Sequence, residues 1–355
     1  MSFKYNRYIA RVTRHPWAIT PEKFAIIADL MRFRASGEKL SDEVIAERFG
    51  ATQAAAGGAA PRSDGAVAVI PVHGTIAHRA DSFEASSGGA SCESIGRMVQ
   101  RALGDESIKS IMLDFDTPGG SVEGVPELAA IIAKGTAVKP IVAHVNALAA
   151  SAGYYLASQC TEIVCTPSGQ VGSIGVFMLM VDQSEYLAKE GIKVNAISAG
   201  DYKLEGASWE PMSEETREFY QGQVDACYRD FIAAVAKGRE VSVSDVKQKF
   251  GQGRCYDAKL ALSLGMIDRI ATADETLARM VTARVTVGAK RAASAVDVPI
   301  ASSDGAPADV STHVLAGGDI GIQDQPEPAE AMPESVTPDA DAVAAEHEAI
   351  LAVIG

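Results

Sequence analysis

Lys139-Pro-Ile-Val-Ala-His-Val145 runs straight into Asn146-Ala-Leu-Ala-Ala-Ser-Ala-Gly-Tyr-Tyr155. The first piece is a short, almost purely apolar run, as expected of a strand buried on both faces. The second is a small-residue turn that carries Ser151 into a helix-like segment. Upstream, Ile111-Met-Leu-Asp-Phe-Asp-Thr-Pro-Gly-Gly120 is another apolar run that ends in a glycine pair. With these two runs included, strands are expected at 67–72, 108–114, 140–145, 162–165 and 194–198, with helical runs at 93–103 and 126–133 between them. Alternating strands and helices of this kind specify an α/β fold, a mainly parallel sheet with helices packed around it.

In such a sheet, chemistry collects at the carboxyl ends of the strands. Ser151, Gly119 and Lys203 all lie there in this reading. A serine hydroxyl needs a base to take its proton, and the usual base is an imidazole. No histidine occurs between Ser151 and His313, and His144 lies on the strand that enters the turn. A lysine can serve instead where dry surroundings leave some of its amine neutral. Lys203, in Ser198-Ala-Gly-Asp-Tyr-Lys203, follows a strand-like run about fifty residues after Ser151. Adjacent Gly119 and Gly120 can turn backbone N–H groups outward with no Cβ in the way, a geometry suited to an oxyanion. An ordinary strand-to-helix turn reads the same way. Ser173, in Gln170-Val-Gly-Ser-Ile-Gly-Val176, could hydrogen-bond a lysine amine or simply satisfy its own turn.

The order and spacing of these pieces resemble the signal peptide peptidase A family of Ser-Lys serine peptidases, within the Clp protease and crotonase fold group. The resemblance rests on Asp116-Thr-Pro-Gly-Gly120, Ser151-Ala-Gly-Tyr-Tyr155, Gly172-Ser-Ile-Gly-Val176, Gly200-Asp-Tyr-Lys203, Gly253-Arg-Cys-Tyr-Asp-Ala258 and Gly265-Met-Ile-Asp268, and spans about residues 65 to 285. Within the family, the chain is most similar to the lambda-type head maturation proteases of tailed phages and prophages. The resemblance implies Ser151 as nucleophile, Lys203 as general base, Ser173 as the residue that orients the lysine, and Gly119 and Gly120 as the oxyanion turn, assisted by the N–H of Ala152. It also implies protein substrates of the capsid, scaffold or portal type, extended peptide binding near residues 77–91, a homo-oligomer, and no cofactor or metal.

The organisation expected is a helical N-terminal segment and linker (1–62), a peptidase domain (63–288) and an acidic Ala/Pro-rich tail (289–355). The helix of the first part is expected near Thr20–Leu30. After Arg291 there is no Lys or Arg but twelve Asp and Glu, so most of the net charge of −14 belongs to the tail. The tail has too little apolar content to fold alone, so it is expected to be disordered apart from a short helix near 341–353. No basic stripe with interleaved aromatics points to nucleic acid. No apolar run reaches the length of a membrane span, and a cytoplasmic protein is expected. Five cysteines without metal-site spacing fit reduced thiols. A long amphipathic helix is expected over Ser213–Val235, with Phe219, Val224, Tyr228, Phe231 and Val235 as a stripe packed on the core. Three classes of function fit the sequence: a Ser-Lys endopeptidase, a crotonase-like acyl-thioester enzyme that uses the glycine turn without the dyad, and a catalytically silent scaffold. The presence of both Ser151 and Lys203 favours the first.

Overall fold

The computed structural model describes residues 15–25, 27–28, 62–79 and 89–282. The acidic tail, with its expected helix near 341–353, and most of the N-terminal part lie outside the described residues. The described strands, in chain order, are β1 (Trp17–Ile19), β2 (Arg62–Asp64), β3 (Val67–His73), β4 (Ile76–Ala77), β5 (Ala90–Ser91), β6 (Ser110–Thr117), β7 (Gly119–Ser121), β8 (Ile141–Ala150), β9 (Glu162–Cys165), β10 (Gln170–Gly172), β11 (Cys255–Asp257) and β12 (Arg269–Ile270). The helices are α1 (Cys92–Gly104), α2 (Val125–Gly135), α3 (Ala152–Ala157), α4 (Ser184–Lys189), α5 (Glu214–Arg239), α6 (Val243–Lys249), α7 (Ala258–Ser263) and α8 (Ala273–Thr282).

The larger sheet runs β11-β10-β8-β6-β3-β2, with β9 joining β8 to β12. Its centre is parallel: β3 pairs with β6, β6 with β8, and β8 with both β9 and β10. Antiparallel β2 and β11 close its two sides. The middle strands are buried nearly throughout, which is why they read as unbroken apolar runs. Helix α1 begins where the Ser91 side chain accepts a hydrogen bond from the Ser94 N–H at 3.3 Å, and it buries Cys92, Ile95, Val99 and Ala102 on one stripe. Helix α2 carries Pro126 in its first turn and buries Val125, Leu128, Ala129 and Ile132.

A second, smaller sheet, β1-β7-β4-β5, grows from the end of β6. Within it β7 is held on one side by parallel β4 and on the other by antiparallel β1. The helical turn expected after Thr20 is present, beginning at Pro21. The strand just before it was not foreseen from the sequence.

Two expectations are corrected. Val194–Ser198 forms no strand, and residues 188–203 are exposed throughout. Among the described residues no strand pairs with this segment, so its β-like composition is not used. The stripe on α5 is also divided. Phe231, Ile232, Val235 and Ala236 are buried, whereas Phe219 is about half exposed and the first half of the helix buries only Thr216.

At its C-terminal end α5 delivers Arg239 into the protein. Its guanidinium donates to both carboxylate oxygens of Asp268, at 2.8 and 2.9 Å, and to the Gly265 carbonyl at 3.1 and 2.7 Å. Asp268 also accepts from the Ile163 N–H at 2.7 Å. Burial pushes the Asp268 carboxyl above the usual carboxylate range, against the pull of Arg239. The quoted motif Gly265-Met-Ile-Asp268 is thus a clamp that ties the helix layer to β9.

Candidate active site

Strand β8 ends at Ala150, helix α3 begins at Ala152, and Ser151 is the single residue between them. It has φ 56° and ψ −117°, a backbone conformation that costs an L residue of order 1–3 kcal/mol. The surroundings over-determine it. The Ser151 N–H donates to the Gly172 carbonyl at 2.8 Å, and its own carbonyl accepts from the Tyr155 N–H at 2.9 Å. Ser151 is completely buried, and its hydroxyl reaches the Gly175 carbonyl at 3.5 Å, a long and weak contact. Ser151 is thus a strained serine at a strand-to-helix turn, with its oxygen held by no strong bond, a setting in which nucleophilic serines occur.

Register brings the other pieces to the same place. Gly172 of β10 lies opposite Ala150, so Ser173 and Ser151 leave the sheet side by side. Ser173 also has positive φ, 54°, is buried, and donates its N–H to the Arg254 carbonyl at 2.8 Å. Ala152 opens α3, whose first N–H groups have no partner inside the helix. Gly153 follows because α3 packs on Thr117, where any Cβ would meet the threonine methyl.

Gly119 and Gly120 form the start of β7 rather than a bare turn. A Cβ on Gly119 would lie 2.9 Å from Ser151 Cβ and 3.1 Å from the Ala150 carbonyl oxygen, and closer still to the carbonyl oxygen of Ala18. Its φ of 100° excludes other residues independently. The Gly119 N–H donates to Thr117 Oγ1 at 3.1 Å, so it points back into the fold. Gly120 is closed in by the backbone of Ile76. Gly120→Ala is therefore expected to push β7 off β4, costing about 2 kcal/mol of stability. Chemical denaturation checks this, and an unchanged midpoint would contradict the packing.

No hydrogen bond joins Lys203 to Ser151 among the described residues, and Lys203 is exposed whereas Ser151 is buried. It sits in a turn-rich stretch, fully in the exposed run, with Ile192, Val194, Ile197 and Tyr202 exposed around it. The dry setting that a lysine base requires is not supplied there. Two of the histidines are engaged elsewhere: His73 Nε2 lies 3.2 Å from Asp114 Oδ2, and fully buried His144 has its Nδ1 3.3 Å from Thr276 Oγ1. Burial lowers the His144 pKa and keeps its imidazole neutral. All five cysteines are free thiols. Burial pushes Cys92 and Cys165 up to about 12 and Cys255 to about 11, which leaves them protonated and unreactive. Among the described residues no cluster of His, Cys, Asp and Glu is arranged to hold a metal ion, and no helix is long and apolar enough to cross a membrane.

Comparison with known proteins agrees with this geometry. Residues 133–287 match Peptidase family S49, and residues 66–199 match the N-terminal domain of NfeD1b. The region that holds Ser151 and Ser173 is thus similar to family S49 peptidases, and the described residues have a mainly parallel α/β fold of the Clp protease type. Among relatives, the chain is 32% identical over 217 residues to the head-tail preconnector protein of Enterobacteria phage P21, covering 61% of this chain and 43% of that protein. It is 31% identical over 214 residues to the capsid assembly protease C of Escherichia phage lambda, covering 60% of this chain and 48% of that protein. A putative protease of Methanocaldococcus jannaschii is 32% identical over 176 residues, covering 50% of this chain and 56% of the relative. The chain thus spans about half the length of the curated proteins that it matches.

Proposed function

We propose that this chain is a serine endopeptidase of phage head maturation, with Ser151 as nucleophile and Lys203 as general base. The observation that carries the proposal is the buried, positive-φ Ser151 packed against Gly119 in a region similar to family S49 peptidases. The Ser151 oxygen attacks the peptide carbonyl while Lys203 takes its proton, and the tetrahedral oxyanion accepts hydrogen bonds from the N–H groups of Gly120 and Ala152. Gly119 makes room for the substrate backbone beside Ser151. The bond to the leaving amine then breaks, Lys203 returns the proton to it, and water releases the acyl group from Ser151 by the reverse path. Ser173, beside Ser151, fixes the lysine amine through its hydroxyl.

The base comes from a second copy of the chain. Two observations support this assembly: among the described residues no base is hydrogen-bonded to Ser151, and the stretch Ile192–Lys203, with Ile192, Val194, Ile197 and Tyr202, is exposed. The uncovered first half of α5, with Phe219, extends the same exposed surface. Seating this surface on a neighbour would dry the lysine and deliver it to Ser151 in one step. By the names of the two phage relatives, the substrates are proteins of the assembling head, met in the bacterial host cytoplasm or within the procapsid.

A fluorophosphonate probe tests the nucleophile. Ser151 is expected to displace fluoride and carry the phosphonyl mass, found by mass spectrometry on the peptide that contains it. A folded, assembled protein with no adduct on Ser151 would overturn the reading, and would leave the acyl-thioester or scaffold classes standing.

A further inference from the structure

We infer that the segment Pro16–Thr20 is a built-in occupant of the peptide-binding groove, which an incoming substrate must displace. The inference rests on the peptidase reading and concerns the regulation of the same site. Strand β7 has two edges. Strand β4 holds one of them, so an extended peptide that adds to β7 beside Ser151 must use the other, and β1 lies there.

The register of β1 is that of a substrate. The Thr20 N–H donates to the Pro118 carbonyl at 2.9 Å and the Val122 N–H to the Pro16 carbonyl at 3.3 Å. Antiparallel ladders alternate, so Ala18 and Gly120, paired midway between these bonds, form the hydrogen-bonded pair. The Ala18 carbonyl therefore takes the Gly120 N–H, the donor assigned above to the oxyanion. The same carbonyl oxygen and Ser151 Cβ both crowd the single point where a Cβ on Gly119 would stand. On its far side β1 is gripped by Phe177: the Trp17 N–H donates to the Phe177 carbonyl at 2.8 Å, and the Phe177 N–H donates to the Trp17 carbonyl at 3.0 Å. Trp17, Ala18 and Ile19 are buried, and Phe24 packs edge-on against both Trp17 and Phe177 at 5.5 and 5.2 Å. A peptide strand laid between two walls, with a small residue over the nucleophile, is what the groove is shaped to hold.

A reversible lock tests this. Trp17 and Phe177 are directly opposed in a hydrogen-bonded pair, a separation that a disulfide can span. The full chain bearing Trp17→Cys and Phe177→Cys is compared oxidised and reduced, with the wild-type chain given the same oxidant. The probe is a fluorescent peptide, Pro-Phe-Ala-Ile-Thr, and its binding is read by anisotropy in a Ser151→Ala background. The oxidised form is expected to bind at least about tenfold more weakly than the reduced form, a difference of about 1.4 kcal/mol. Equal binding by both forms, or binding by neither, would overturn the inference. Hydrolysis by the reduced form with Ser151 intact is scored separately: binding that responds to the lock without hydrolysis would sink the peptidase reading and leave the occupied groove standing. A second measurement needs no lock. The chain has two tryptophans. In Trp209→Phe, therefore, Trp17 alone reports: saturating peptide is expected to shift its emission to the red, and an unmoved spectrum under saturating peptide would count against displacement.

Discussion

Ser151→Ala and Lys203→Ala are each expected to lower peptide-bond hydrolysis by about 10⁴-fold or more while leaving the unfolding midpoint within about a degree of wild type. The size follows from what each group does. In the proposed mechanism no acyl-enzyme forms without the Ser151 oxygen, and nothing accepts its proton without the lysine amine. Residues that act as one unit do not add, so the double substitution is expected to be scarcely worse than either single one. The fold is spared for different reasons at the two positions. Ser151 makes one weak hydroxyl contact, and its strained backbone is held by main-chain bonds that alanine keeps. Lys203 is exposed, so its removal leaves no hole in the chain's own core. A Ser151→Ala protein that cleaves at the wild-type rate would remove the nucleophile from the account.

Arg239→Met is expected to cost about 3–5 kcal/mol of stability at neutral pH, the largest loss foreseen for a residue outside the active site. The guanidinium is almost wholly buried and satisfies Asp268 and the Gly265 carbonyl together. Its removal strands a carboxylate that burial already pushes toward the protonated form. The sign of the pH dependence follows. With Arg239 gone, the folded-state pKa of Asp268 rises further above its unfolded value, so the cost of the substitution shrinks as the pH falls and the carboxyl takes a proton. Adding Asp268→Leu to Arg239→Met is expected to recover part of the loss, because the stranded charge is removed. Urea denaturation at two pH values measures all three quantities, and a loss below about 1 kcal/mol at neutral pH would show that the clamp carries no weight.

How far the sequence could be read depended on how local each signal was. Ser151, the glycine pair and Ser173 were legible because each sits where an apolar strand gives way to small residues, and the sheet then aligns those strand ends by register. The N-terminal strand was not legible. Trp17-Ala-Ile19, between Pro16 and Pro21, is too short to show a period, and it is a strand because β7, about a hundred residues away, offers it an edge. Val194–Ser198 failed in the opposite sense. Its apolar residues read as a strand that would present Lys203, yet among the described residues it pairs with no strand, and the residues stand in solvent. Arg239 was missed because one arginine at the end of a long helix looks like ordinary last-turn charge until Asp268 folds back on it.

The proposed division of the dyad between two copies is tested most directly by mixing Ser151→Ala and Lys203→Ala proteins. Ser151→Ala supplies an intact lysine and Lys203→Ala an intact serine, so co-assembled chains at equal amounts are expected to regain about a quarter of wild-type activity, the fraction of sites that random pairing completes. Mixed assemblies verified by native mass spectrometry that remain as inactive as their parents would contradict it.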